Sequence, residues 1–305
     1  MTSNAGYGLE ANPERLWFFA TDLHGRPGRY RALLHAVATA RPAAVLLGGD
    51  LLPHALAPWA EADRYPDFLR DFLRPALVAL RDDLADAYPR FVVIAGNDDP
   101  RALEPELQDI AADGLWEYLA GAWTDVCGIP VLGYPYVPPT PFRLKDWERY
   151  DVSRFTDPGC VAPEDGVYSV DIDPRREQFA TIAGDLERLA GGHDVAGAVL
   201  LCHSPPYRTV LDRAALDGRQ VDHVPLDVHV GSIALRRFIE RRQPAVSLHG
   251  HIHETVRLAG AWREQLGRTW CLTACHDGPE LALVTFDPTA PAAARRELLP
   301  PLTGS

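Results

Sequence analysis

Short apolar runs alternate with amphipathic segments along the first third of the chain. Residues 16–21, 43–47 and 91–95 are apolar runs with the length of buried strands. Between them, apolar residues at helical spacing predict a helix over residues 30–39, and residues 63–87 are predicted to be mostly helical. Strand, helix, strand, helix, strand is typical of βαβ units on a largely parallel sheet. The pattern therefore predicts an α/β fold.

The remainder of the chain has more short strands and one long irregular connection. A hairpin is predicted over residues 123–137, and the connection that follows it, 138–166, is rich in proline and charge. Further strands are predicted at 167–172, 197–202, 244–248, 270–273 and 281–286, and helices at 176–190 and 231–242. The Pro- and Ala-rich tail, 287–305, is predicted to be loosely attached. We expect a single domain over residues 1–305, with its core at about 16–286 and an insertion at 138–166.

Composition and charge narrow the classes of protein. The chain has 305 residues, 47% of them hydrophobic and 24% charged, which is enough apolar material for a full-sized core. A formal net charge of −12 and a pI near 5.3 disfavour binding to nucleic acid or to an anionic membrane. No apolar run has the ~18–20 residues of a membrane span, and residues 1–15 show no secretory signal pattern. Five scattered cysteines fit reduced thiols, so we expect a cytoplasmic protein.

Polar residues that can bind a metal follow each of the predicted core strands. They are Asp22 and His24, Asp50, Asn97, His203, and His251 with His253. A single aspartate after a strand is usually a turn or helix cap, but ligands of such sheets gather where the strands end. Two carboxylates, an amide oxygen and four imidazoles suit Mn, Fe, Zn or Co. One carboxylate between two cations can hold them ~3.5–4 Å apart, the spacing of two-metal hydrolytic sites.

Five short blocks in this order resemble those of the calcineurin-like binuclear metallophosphoesterases. The blocks are Asp22-x-His24, Gly49-Asp50, Gly96-Asn97-Asp98, His203 and Gly250-His251-x-His253. The resemblance covers residues 16–286 and implies a four-layer α/β/β/α sandwich with two mixed sheets.

The resemblance also implies a ligand set for two divalent metal ions. One ion would be held by Asp22, His24 and His253, and the other by Asn97, His203 and His251, with Asp50 bridging the two. A hydroxide between the ions would then attack the phosphorus of a small phosphoester substrate.

The third block departs from the family pattern. The family usually has Gly-Asn-His followed by an acidic residue, and that histidine is expected to touch the phosphate and to protonate the leaving group. Here the position is Asp98, which makes this carboxyl a candidate catalytic residue. Its charge favours phosphodiesters or activated phosphoesters over phosphomonoester dianions. His223, on a predicted loop, is the candidate that could replace the missing histidine; His229 and His276 are alternatives.

The long connection is the predicted substrate-facing segment. Its length and aromatic content are unusual for a loop without function, and Arg143, Lys145 and Trp147 could meet a phosphate or a leaving group. A packed surface insertion is the alternative. Other functions on the same fold stay open: a phosphomonoesterase, a protein phosphatase, a nuclease or a non-catalytic binding module. The negative net charge of the chain disfavours the nuclease. The sequence leaves the oligomeric state open.

Overall fold

Two mixed six-stranded sheets form the centre of the fold. The computed structural model describes residues 15–53, 65–173 and 177–303. The strands are β1 (Trp17–Ala20), β2 (Ala44–Gly48), β3 (Arg90–Ile94), β4 (Glu117–Tyr118), β5 (Ala122–Val126), β6 (Ile129–Tyr134), β7 (Val199–Cys202), β8 (Gln220–Val221), β9 (Val224–Pro225), β10 (Val246–His249), β11 (Arg263–Leu266), β12 (Thr269–Thr273), β13 (Leu281–Phe286) and β14 (Arg295–Leu299). The first sheet has the order β14-β13-β1-β2-β3-β4 and the second β11-β12-β10-β7-β6-β5, while β8 and β9 pair alone.

Helices cover the outer face of each sheet. They are α1 (Pro27–Ala40), α2 (Arg74–Leu84), which continues a π-helical segment at Phe68–Leu73, α3 (Glu104–Ala112), α4 (Ile182–Ala190), α5 (Ile233–Arg242) and the short α6 (Thr255–Ala259). Apolar residues of α1, α2 and α3 pack on the first sheet, and those of α4 and α5 pack on the second. None of the described helices is long and apolar enough to cross a membrane.

The inner faces of the two sheets share one apolar core. Phe19 of β1 and Val92 of β3 belong to the same buried cluster as Val199 of β7 and Leu248 of β10. Successive strand residues point to opposite faces, so alternate residues of these strands reach the helices instead. The predicted four-layer α/β/β/α sandwich with two mixed sheets is confirmed.

Parallel pairing of the strands brings the loops that carry the predicted metal ligands to one edge of each sheet. Strands β1, β2 and β3 are parallel, with Ala20 opposite Leu47 and Gly48 opposite Ile94. In the second sheet β7 and β10 are also parallel, with Cys202 opposite His249. Each of these strands therefore ends level with its neighbour, and the chain leaves it into a loop on the same edge of its sheet.

Two predictions about the chain's second half are wrong. Residues 167–172 form no strand, because Val167 alone among them forms a β-bridge, a single one to Leu144. The tail is not loosely attached: β14 pairs with β13 at the edge of the first sheet, and the N–H of Leu302 donates to the Gly28 carbonyl. The predicted helix at 176–190 is interrupted: residues 178–181 are not helical, and α4 begins at Ile182, where the Thr181 hydroxyl caps it; residue 176 lies outside the described residues.

Candidate metal centre

The loops at this edge carry the seven predicted metal ligands. Asp22 and His24 follow β1, Asp50 follows β2, Asn97 follows β3, His203 follows β7, and His251 and His253 follow β10. Backbone hydrogen bonds join the first two loops, since the N–H groups of Asp22 and His24 donate to the carbonyls of Gly49 and Asp50. The structure thus brings residues from five strands together.

Asp22, His24, Asp50 and His253 form a compact group. One ligand atom from each lies within 4.8 Å of the other three, and among the described residues this is the one carboxylate, imidazole or thiol group of that kind. The Nε2 atoms of His24 and His253 are 2.9 Å apart, and His253 Nε2 lies 3.3 Å from Asp22 Oδ1. Two neutral imidazole nitrogens so placed need a proton or a cation between their lone pairs. This donor set therefore fits a divalent metal ion.

A second group surrounds His203. Its Nε2 lies 3.1 Å from Asn97 Oδ1 and 3.3 Å from Asp50 Oδ2, while its Nδ1 lies 2.7 Å from the Gly48 carbonyl. When Nδ1–H donates to that carbonyl, Nε2 keeps its lone pair, which is how proteins orient a metal-binding histidine. The His251 ring lies 5.3 Å from the His203 ring, measured between centroids.

Asp50 lies between the two groups. Its Oδ2 is 3.9 Å from His24 Nε2 on one side and 3.3 Å from His203 Nε2 on the other. Its Oδ1 accepts a hydrogen bond of 2.9 Å from the N–H of Asp98. Among the candidate ligands, this carboxylate is therefore positioned to face both sets of imidazoles.

The local electrostatics favour ionised carboxylates and two neutral imidazoles. Burial opposes ionisation of Asp22, but a hydrogen bond from His253 and the surrounding imidazole charge hold the pKa of its carboxyl well below the ordinary value. Burial also opposes ionisation of Asp50, but the charge of His203 and its hydrogen bond hold the pKa of the Asp50 carboxyl well below the ordinary value. Burial lowers the pKa of His24 to about 4, and burial together with His203 lowers the pKa of His251 to about 3. Ionised carboxylates and neutral imidazoles are the forms that bind metal ions. The other two imidazoles differ: burial opposes their charge, but Asp50 raises the pKa of His203 to about 10 and Asp22 raises the pKa of His253, so a metal ion would have to displace their protons.

Four of the candidate ligands have left-handed backbone conformations. The φ angles are 54° at Asp22, 47° at His24, 51° at Asp50 and 77° at His251. Residues other than glycine adopt this region at a cost of order 1–2 kcal/mol, and such strain is concentrated at functional sites.

Two glycines beside the candidate ligands, Gly96 and Gly250, lie where the backbone closely approaches a side chain of another loop. A Cβ on Gly96 would lie 2.3 Å from Asp50 Oδ1, and a Cβ on Gly250 would lie 2.2 Å from Thr21 Oγ1. Real side-chain atoms do not come that close to an oxygen, so the ligand loops pack at a distance that only glycine permits.

Asp98 lies beside the first group. Its Oδ2 is 3.8 Å from His24 Nδ1, its Oδ1 accepts from the side-chain amide of Asn97 at 3.2 Å, and its side chain is 21% exposed. Burial and the neighbouring carboxylates of Asp50 and Asp99 raise the pKa of Asp98 to about 8. The structure therefore places this carboxyl at the candidate centre and not on a remote surface.

Asp99 has a role that sequence reasoning missed. Its buried carboxylate accepts from the backbone N–H groups of Leu51 (2.9 Å), Leu52 (2.8 Å) and Gly96 (2.9 Å). It thereby joins the loop that carries Asp50 to the loop that carries Asn97. The acidic residue that usually follows the third block of the family was the available signal.

Lys145 and Trp147 do not lie where a substrate could reach them. Lys145 is fully buried, forms an ion pair with Glu148, and donates to the Thr140 carbonyl at 2.9 Å. Trp147 is 2% exposed, and its indole N–H donates to the Asp99 carbonyl at 2.8 Å. A substrate-contacting role does not fit this burial; both side chains anchor the insertion, and Trp147 anchors it directly against the third block.

Arg143 and His223 are exposed, and the described contacts join neither of them to a candidate ligand. The carbonyl of Arg143 accepts from the N–H of Val167 at 2.7 Å. His223 lies in the turn between β8 and β9, with φ 68° after Asp222 at 48°. Two consecutive left-handed residues are typical of a tight hairpin turn, so the structure gives His223 a place in the turn and no place at the metal ligands.

Comparison with known proteins identifies the family of this chain and proteins of similar fold. The family model "Calcineurin-like phosphoesterase" matches residues 18–255. The crystal structure of TT1561 from Thermus thermophilus is similar with a TM-score of 0.53 and 14% identity, over 93% of this chain and 98% of that chain. Another crystal structure gives a TM-score of 0.56 and 14% identity, over 93% of this chain and 99% of that one. At such identity these two likenesses concern the fold alone.

None of the curated proteins compared with this sequence matches it. The family match, in contrast, contains all seven candidate metal ligands in block order. The chain belongs to the calcineurin-like phosphoesterase family.

Proposed function

We propose that this protein hydrolyses phosphoester bonds with two divalent metal ions, Mn, Fe, Zn or Co. The observation that carries the proposal is the place of Asp50, 3.9 Å from His24 and 3.3 Å from His203. Asp22, His24 and His253 would hold one ion, and Asn97, His203 and His251 the other. When bound, two such ions lower the pKa of water and neutralise charge that develops on a phosphoryl group.

The residues around the ligands would keep them in binding geometry. The Gly48 carbonyl fixes the His203 tautomer, and the N–H of His251 donates to Asp22 Oδ1 at 3.0 Å. Preorganised ligands require little rearrangement when charge develops, which is the main source of catalysis in such sites.

Asp98 supports a preference for phosphodiesters or activated phosphoesters. Above its pKa of about 8, the Asp98 carboxylate near an anionic substrate disfavours a monoester dianion more than a diester monoanion. One extra unit charge at ~4 Å is worth roughly 4 kcal/mol at an effective dielectric of 20, before screening by metal ions. The absence of the family's usual histidine also affects alkoxide leaving groups most, because they need a proton.

The cysteines support a reducing compartment such as the cytoplasm. Cys127, Cys160, Cys202, Cys271 and Cys275 are all free thiols. Disulfides form and persist in oxidising compartments, so five unpaired cysteines favour a reducing one.

Metal analysis together with turnover tests the proposal. Protein loaded with Mn²⁺ is analysed by mass spectrometry and assayed on aryl and alkyl phosphodiesters and phosphomonoesters. We expect two metal ions per chain, with loss of at least one ion and of at least ~100-fold in turnover in Asp50→Ala. Asp109→Ala, on the exposed face of α3, is the matched control and should behave as the wild type. Unchanged metal content and turnover in Asp50→Ala would contradict the two-metal assignment.

A further inference from the structure

Asp22 is held through its backbone and through both carboxylate oxygens. Its carbonyl accepts from Arg29 Nη1 at 2.5 Å. Its Oδ1 accepts from the N–H of His251 at 3.0 Å, and its Oδ2 accepts from the thiol of Cys275 at 3.3 Å. Since the φ of Asp22 is 54°, its conformation depends on such contacts and not on local preference.

Arg29 connects three segments around Asp22. The side chain comes from α1, and the residue is 4% exposed. Besides the Asp22 carbonyl, it donates through Nη2 to the carbonyls of Gly278 (2.6 Å) and His276 (3.3 Å), in the loop after β12. The hydrogen bonds described for this guanidinium all go to backbone carbonyls. Burying a cation without a carboxylate partner is costly, so a positional requirement is a physical reason for its presence.

Cys275 is fixed from the opposite side. It is fully buried; its N–H donates to Thr273 Oγ1 at 3.1 Å, and its carbonyl accepts from Arg296 at 2.7 Å. Its Sγ lies 3.3 Å from Asp22 Oδ2, so the thiol S–H is placed to donate to the carboxylate from this side. A neutral donor on Oδ2 and a backbone donor on Oδ1 together define the plane of the Asp22 carboxylate.

We propose that Arg29 and Cys275 are positioning residues that hold Asp22 in its left-handed conformation and thereby set the affinity of the first metal site. The inference rests on the proposed function, because it takes Asp22 as a ligand. Residues that orient metal ligands in other proteins change metal affinity about 10–100-fold when they are replaced. A contribution of that size from residues that do not themselves ligate is the expectation here.

The test is a calorimetric titration of metal-free protein with Mn²⁺. We expect Arg29→Met to weaken the tighter site by at least about 10-fold and Cys275→Ala by about 3–10-fold. Cys275→Ser retains a donor and should stay within about 3-fold of the wild type. Arg263→Met and Cys271→Ala are matched controls. Arg263 also donates to backbone carbonyls, at residues 292 and 294, and Cys271, which lies on β12, is fully buried like Cys275. Neither control contacts Asp22 among the described residues, and both should bind Mn²⁺ as the wild type does.

The outcomes separate this inference from the proposed function. A wild-type protein that binds no Mn²⁺ contradicts the proposed function itself. If the wild type binds, but Arg29→Met and Cys275→Ala bind equally well, the positioning role is wrong. Equal losses in Cys275→Ser and Cys275→Ala overturn the role of the thiol hydrogen bond. Should Arg29→Met fail to fold, Arg29→Lys decides, because one ammonium group cannot donate to all three carbonyls in the geometry of the guanidinium. An unchanged Mn²⁺ affinity in Arg29→Lys means that Arg29 does not position Asp22.

Discussion

The buried ion pair between Lys145 and Glu148 offers a sharp test of how the insertion is anchored. Both side chains are 0% exposed. Lys145 also donates to the Thr140 carbonyl at 2.9 Å, and Glu148 accepts from the N–H of Thr140 at 2.7 Å and from its hydroxyl at 2.5 Å. Lys145→Met keeps most of the length of the side chain but removes its charge. The Glu148 carboxylate then remains buried without a counter-charge.

The size of the effect follows from this burial. Removing one partner of a buried ion pair typically costs ~3–5 kcal/mol, a large part of the ~5–15 kcal/mol that stabilise a domain. Replacing both partners by apolar residues of similar volume is often close to neutral. The double variant Lys145→Met/Glu148→Leu should therefore lose much less than the sum of its single variants, although the Thr140 donors keep some cost.

Urea unfolding of the metal-free protein measures these free energies. EDTA is needed because a bound metal would add its own stabilisation. We expect a coupling free energy of at least ~2 kcal/mol between Lys145 and Glu148. Arg143→Met is the matched control in the same segment; its side chain is exposed, so its loss should stay within ~0.5 kcal/mol.

The same variants discriminate between anchoring and substrate binding. If Lys145 contacted the substrate, Lys145→Met would raise KM and leave the free energy of unfolding almost unchanged. An unfolding midpoint equal to that of the wild type, with a raised KM, would refute the anchoring argument.

Two further substitutions test the candidate centre. Gly96→Ala should reduce Mn²⁺ affinity by at least ~10-fold, because its Cβ would lie 2.3 Å from Asp50 Oδ1. Gly192→Ala is the control, because a Cβ there meets no atom within 4 Å. Equal Mn²⁺ affinities of Gly96→Ala and the wild type would contradict the argument. In assays above the Asp98 pKa of about 8, Asp98→His should raise turnover of alkyl phosphomonoesters more than that of aryl phosphodiesters, because it then removes a negative charge and supplies an N–H proton donor. An unchanged ratio of the two rates would show that Asp98 does not set the preference.

The sequence was sufficient to predict the fold class and to choose the ligand candidates. The reason is physical: each parallel strand that carries a candidate ligand is a short apolar run, and its end is marked by a polar residue, with a glycine beside it in every case except β7. Asp50 after β2 and His203 after β7 are examples, and their 3.3 Å approach follows once the sheets are stacked. The spacing of apolar residues and the type of polar residue at a strand end are local properties, so both can be read from the sequence.

Properties that depend on distant partners could not be predicted in this way. Residues 167–172 alternate like a strand, but a strand needs a neighbour, and Val167 is half exposed with a single bridge. Arg295–Leu299 carries charges suited to solvent, yet it is a strand because the edge of β13 is available to it. A lysine in a proline-rich loop is normally solvated, and only Glu148, three residues later, hinted that Lys145 is buried.

The strained ligand loops explain why so many hydrogen bonds of this edge come from outside the ligand set. Left-handed conformations at four candidate ligands cost of order 1–2 kcal/mol each, so local preference alone would move these residues away. The compensation is buried and non-local: Asp99 holds the loop of Asp50, Arg29 holds Asp22, and the Gly48 carbonyl fixes His203. Metal affinity in this protein should then depend on positioning residues nearly as much as on the ligands themselves.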